Sequence, residues 1–205
     1  MAFFEPSVPR APLPPPPWQA PPVNALGTAV PLQRFVVRTD SLVVALTSVV
    51  AYASGCQFGF RVAARASALD RADRRQLRAA FLGDYSDLSE PRPPDEPFRC
   101  GIRRADGSKV TSVDDPPFWD PTSPMRPEGP VLVEFSSLGT HIEADGMWCG
   151  PGYWLWPLPP PQPFALVVDW PEAAIPQTEV ELEGAAIVAA GESAEPLWPD
   201  DARRG

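Results

Sequence analysis

His141 is the only histidine in the 205-residue chain, and Ser136, Ser137, Glu143, Asp145, Met147, Trp148 and Cys149 all lie within eight positions of it. Imidazole is the side chain most often used for general acid and base work, and a nearby hydroxyl or thiol is its natural nucleophilic partner. No nucleophile elbow, HExxH pair or other local motif surrounds these residues. Hydrolysis through His141 therefore ranks third among three functional readings, and no residue is assigned a catalytic role. Cys56, Cys100, Cys149 and His141 have the atoms of a zinc site. Structural zinc takes its ligands in close sequence pairs, and only His141 and Cys149 are near neighbours, so no metal is expected.

A second set of polar and aromatic residues runs from Asp114 and Asp115 through Phe118, Trp119 and Asp120. Combined with His141, Glu143, Asp145 and Trp148, it offers indole rings beside carboxylates. An indole stacks on a pyranose face and acids accept hydroxyl protons, so a carbohydrate-binding or carbohydrate-processing protein is the second reading. It requires both segments to leave the same end of the fold. The plainer expectation is that Trp119 and Trp148 fold back as lids on a core edge. Trp154 and Trp156, spaced two apart with Leu158, are expected in the core, because that spacing is what sheet packing asks for. Phosphate-cradling glycine loops are absent: Gly55 and Gly59 form a local pair that belongs to a hairpin and does not precede a helix, so no cofactor is expected.

Charge is segregated. Residues 61–78 carry six arginines against Asp70 and Asp73, while 169–201 carries nine acids and no base. Arg71, Arg74, Arg75 and Arg78 mark a candidate interaction patch, which reads as a solvated helix face, as a surface met by the acidic C-terminal region within the fold, or as a contact between subunits of a homo-oligomer. The formal charge of −9 repels phosphate backbones and anionic lipid, which argues against nucleic-acid and membrane-surface partners. No apolar run approaches the roughly 18 residues that span a bilayer. Three widely spaced cysteines fit a reducing compartment. A cytoplasmic location is expected.

The elements that position these residues are legible in the proline distribution. Thirty residues are proline, ten of them in 1–31, none in 32–90, ten in 91–130, eight in 151–176 and two at 196 and 199. Proline lacks the N–H that a helix interior or central strand needs. The first block, with Pro14 to Pro17 and Trp18, is an extended arm that cannot pack alone and reads as a tail or a strap over the domain. The proline-free stretch gives strands at Leu32 to Arg38, Leu42 to Ala53 and Gln57 to Arg65. The last alternates Phe58, Phe60, Val62 and Ala64 with Gln57, Gly59, Arg61 and Arg65, the signature of one buried and one solvated face. Ser67 and Asp70 resemble a capping box that starts a helix near Ala68.

Further strands are expected at 98–103 and 108–112, joined through Asp106-Gly107 by a two-residue turn. Others follow at 131–136, 153–158, 164–170 and 178–183. Residues 113–130 and the glycine-bearing stretch 137–152 read as long loops, and 185–198 as a short helix interrupted by Gly191. Nine strands with turn signals between them predict a mainly β protein: an antiparallel β-sandwich, immunoglobulin-like or jelly-roll-like, with one short helix after the second hairpin strand. The expected organisation is an arm over 1–30, a sandwich domain over 31–198 and a tail over 199–205.

The segments Gly152-Tyr153-Trp154-Leu155-Trp156-Pro157-Leu158-Pro159-Pro160-Pro161 and Val167-Val168-Asp169-Trp170-Pro171 resemble a group of uncharacterised actinobacterial proteins. The resemblance extends to Gly59-Phe60-Arg61, to Arg103 through Gly107 and to Gly129-Pro130-Val131-Leu132, spanning roughly residues 30–198. It implies no activity and no site residue. The stretch 137–146 is glycine-rich in that group and reads Ser-Ser-Leu-Gly-Thr-His-Ile-Glu-Ala-Asp here, which weighs against a catalytic His141. Without a motif for chemistry, but with aromatic loops and segregated charge, the chain reads first as a non-catalytic module that binds another protein.

Overall fold

The computed structural model describes residues 15–82, 98–114 and 126–199. Its strands in chain order are β1 (Ala25–Leu26), β2 (Thr28–Val30), β3 (Arg34–Arg38), β4 (Leu42–Tyr52), β5 (Gly55–Arg65), β6 (Arg99–Arg103) and β7 (Lys109–Thr111). They continue as β8 (Val131–Ile142), β9 (Gly146–Trp156), β10 (Phe164–Trp170), β11 (Ile175–Leu182) and β12 (Glu195–Pro196), with helices α1 (Arg71–Leu82) and α2 (Gly184–Glu192). The protein is mainly β and forms an antiparallel sandwich. One sheet runs β2-β4-β5-β9-β8, with β3 beside β2 along the same edge of β4. The other runs β11-β10-β6-β7.

Alternation decides which side chains meet between the sheets. Val44, Leu46 and Val49 of β4, Phe58, Phe60 and Val62 of β5 and Tyr153 and Leu155 of β9 face Cys100 and Ile102 of β6 and Leu166 and Val168 of β10. Each large side chain so buried contributes roughly 1.5–3 kcal/mol. The expected alternation of β5 holds along its length, and the Val-rich run of β4 is a central strand. Helix α1 closes one open margin, where Phe81 packs on Trp170 (5.2 Å between centroids) and Trp170 meets Phe98 edge-on. Helix α2 buries Ile187 against the β2–β4 side. Gly191 lies inside α2 rather than breaking it, because the helix comes so close to the Tyr52 carbonyl that a Cβ would collide with it.

Several local expectations are corrected. The stretch 137–152 is not a loop but most of a long hairpin, in which β8 and β9 pair from Val131↔Trp156 to Ile142↔Met147 around a turn at 143–146. Two of its glycines, Gly146 and Gly152, mark close approach: a Cβ at Gly146 would strike the Ala64 carbonyl of β5. The helix is capped by Asp70, whose Oδ1 accepts the Ala72 N–H (2.7 Å), while Ser67 sits in a preceding 3-10 turn. The β6–β7 hairpin is present, but its turn is longer than two residues. Arg104 N–H bonds to the Ser108 carbonyl, and Gly107 alone takes a positive φ (83°), as in a three-residue loop with a glycine bulge. Trp154 and Trp156 are buried, yet outside the sandwich core, in a separate cluster with Trp18 on the outer face of the larger sheet.

The capping assignment is directly testable. Asp70→Ala should cost about 1 kcal/mol of unfolding free energy, seen as a lower urea midpoint, whereas Ser67→Ala should leave the midpoint unchanged.

Candidate functional site

The β8–β9 hairpin brings four of the expected residues to one end of the larger sheet. His141 and Trp148 are directly opposed in the register, so their side chains leave the same face. The imidazole stacks on the indole, 4.0 Å between centroids and 11° between planes. From the other side, β5 places Ala63 opposite Trp148 and Arg61 two residues away on the same face. The Arg61 guanidinium carbon stands 3.8 Å from the Trp148 ring centroid. Two planar groups this close cannot share one side of the ring, so the indole is clasped between His141 and Arg61. Its Nε1 donates to Glu143 Oε1 (3.3 Å). His141, Arg61 and Glu143 are exposed and Trp148 is half-buried.

Beside this stack lies a cleft of about 240 Å³ whose charged lining is Asp40, Arg65, Glu143 and Asp145. Three loops meet there. The β3–β4 turn is fixed by Thr39, whose Oγ1 accepts the Ser41 and Leu42 N–H groups. Arg65 N–H donates to the Ser41 carbonyl (2.8 Å) and Ala66 N–H to the Asp145 carbonyl (2.7 Å), tying the turns together. The volume falls below the roughly 300–1,000 Å³ of a typical small-molecule site. A larger hollow of about 520 Å³, where β2 hands over to β3, is lined by no carboxylate, imidazole or thiol.

Chemistry through Cys149 is disfavoured by placement. It follows Trp148 in β9 and so points away from His141, towards the sandwich core. Burial, with the Glu134 carboxylate second, pushes its thiol up to about 12. Burial likewise pushes up the Cys56 and Cys100 thiols, and all three cysteines are free.

The other expected residues are placed elsewhere. Asp114 follows β7, where Oδ2 accepts the Thr111 N–H and hydroxyl. Asp115 and Trp119 lie outside the described residues. Arg71, Arg74, Arg75 and Arg78 are exposed on α1, and Arg74 donates to the Ala66 and Leu69 carbonyls. The acidic strands draw their cations from β6 instead: Arg99 pairs with Asp169 (2.6 Å) and Arg103 with Glu179. Arg61, Arg65 and Asp40 were missed as site residues. The outward phase of β5 marks Arg61 and Arg65, but their meeting with Trp148 depends on β9 pairing beside β5.

No family model, curated protein or solved structure matches the chain. Among the described residues, no helix is long and apolar enough to cross a membrane.

Cys149 offers a check of the site's electrostatics. Its thiol stays neutral until about pH 12, so native-state alkylation at pH 7.4 should run more than tenfold slower than in the unfolded chain. The rate should still be climbing beyond pH 10, where an ordinary thiol has levelled. Glu134→Gln removes the repelling charge and should speed the reaction, as read by mass spectrometry of the Cys149 peptide.

Proposed function

We propose that the chain is a non-catalytic protein-interaction module whose contact surface is centred on the Arg61–Trp148–His141 stack. The stack carries the reading. Tryptophan and arginine dominate the energetics of protein interfaces, and here both are held rigid at the surface, so little side-chain entropy is lost on docking. The neighbouring cleft offers both signs of charge, suited to a polar rim around that anchor. The exposed arginines of α1 extend the polar surface available to an acidic partner. Three cysteines without a disulfide suit a reducing compartment, and we place the module in the cytoplasm.

The carbohydrate reading fares worse on the same geometry. A sugar needs a free indole face, and both faces of Trp148 are taken. The hydrolase reading requires a nucleophile beside His141, and its aromatic neighbour supplies none.

Affinity purification from the native host at low salt tests the proposal. A partner retained by the native sequence should be lost with Trp148→Ala or Arg61→Ala, by about 30-fold in affinity for a hot-spot loss of 2 kcal/mol. Equal retention by these variants, with unchanged circular dichroism, would sink the assignment of this surface.

A further inference from the structure

The opposite end of β9 carries a different surface. Trp154 and Trp156 project from the outer face of the sheet, flanked by Tyr52 of β4 and by Val131 and Val133 of β8, and together they form an aromatic trough. The trough already holds a polypeptide. Trp18 is buried in it, and along the same segment Pro16 is buried while Pro15 and Pro17 are exposed. Trp154 Nε1 donates to the Pro17 carbonyl at 2.9 Å. The Trp18 ring meets Trp156 edge-on, 6.1 Å between centroids. Gln19 N–H donates to the Pro16 carbonyl at 3.0 Å, closing a turn with Pro17 and Trp18 at its two central positions.

These contacts have the chemistry of proline-rich peptide recognition: aromatic walls, prolines that lose little entropy on docking, and an indole N–H aimed at a proline carbonyl. The sequence carries no charge from Ala11 to Pro22. The bound segment is also peripheral. Past Pro22 the chain is held independently, by the Leu197 N–H to the Asn24 carbonyl, by β1 pairing with β12 and by β2 pairing with β4. Residues 15–20 can therefore leave the trough while the sandwich stays paired.

We propose that the Trp154–Trp156 trough is a binding site for an uncharged proline-tryptophan segment of a partner protein, and that residues 15–20 are a built-in competitor that keeps it shut. A segment tethered this closely acts at an effective concentration in the millimolar range, so a free partner of modest affinity is excluded until the strap is displaced. The site lies at the far end of β9 from the Arg61–Trp148–His141 stack, and either surface can fail without the other.

The test uses the 205-residue chain and a synthetic peptide of residues 11–22, titrated by calorimetry. Trp18→Ala removes the ring that anchors the strap, and Trp18→Leu weakens that anchor while retaining an apolar cover should the first disturb folding. Both variants should bind the peptide at least tenfold more tightly than the native sequence does. Adding Trp154→Phe, which deletes the indole donor, should weaken that binding about three- to tenfold. Absence of binding by a folded Trp18 variant would overturn the proposal. Binding of equal strength by the native sequence and the variants would overturn it too, because the peptide would then be seated elsewhere.

Discussion

Strand β9 is apolar on both of its faces, and only one of them can belong to the sandwich core. Its inward residues Met147, Tyr153 and Leu155 are buried between the sheets, with the Tyr153 hydroxyl donating to the Phe98 carbonyl across the interior. Alternation then forces Trp148, Trp154 and Trp156 outward. Apolar rings of that size on a solvent-facing surface must be covered or used. Near the β4–β5 hairpin the solution is cover, supplied by Trp18 of the strap. At the β8–β9 turn the solution is clasping, with Arg61 and His141 on the two ring faces. The constraint of a two-faced strand thus generates both surfaces to which function is assigned.

The remainder of the fold holds β9 in that position. It is an interior strand of the larger sheet, paired with β5 over Cys56↔Leu155 to Arg65↔Gly146 and with β8 along nearly all of its length. Close approach at Gly146 and Gly152 lets those pairings run without side-chain collision, since a Cβ at Gly152 would meet the Ser136 hydroxyl. The smaller sheet supplies the opposite wall, and its cross-strand ion pairs sit at the surface, where solvent and salt weaken them. Packing, with the aromatic line Phe81–Trp170–Phe98–Tyr153, joins α1 to both sheets.

Much of this was legible before any coordinates. The proline-free interval from 32 to 90 contains the β4–β5 hairpin and α1, and β10 spans the very residues its composition suggests. The candidate site was half legible. His141, Glu143, Asp145 and Trp148 stood out by residue type and proximity, and they do cluster. Their setting did not stand out, because glycines such as Gly146 and Gly152 look like loop punctuation unless the neighbouring strands that crowd them are known. The same blindness hid Arg61, which is 87 positions from the ring it covers. It also made Trp154 and Trp156 look like sandwich core, since period-2 spacing tells that two rings share a face but not which face.

By itself the sequence determined the class of the protein: a β-rich chain, punctuated by proline, acidic, with strands whose alternation marks one face from the other. These properties follow from local sterics and from burial patterns that repeat along a few residues. Only the tertiary structure decided which face of β9 became core, that a proline-rich strap covers the other, and that an arginine from β5 and a histidine from β8 close on one indole. Those outcomes depend on strand order and register, which are set by contacts between residues far apart in the chain.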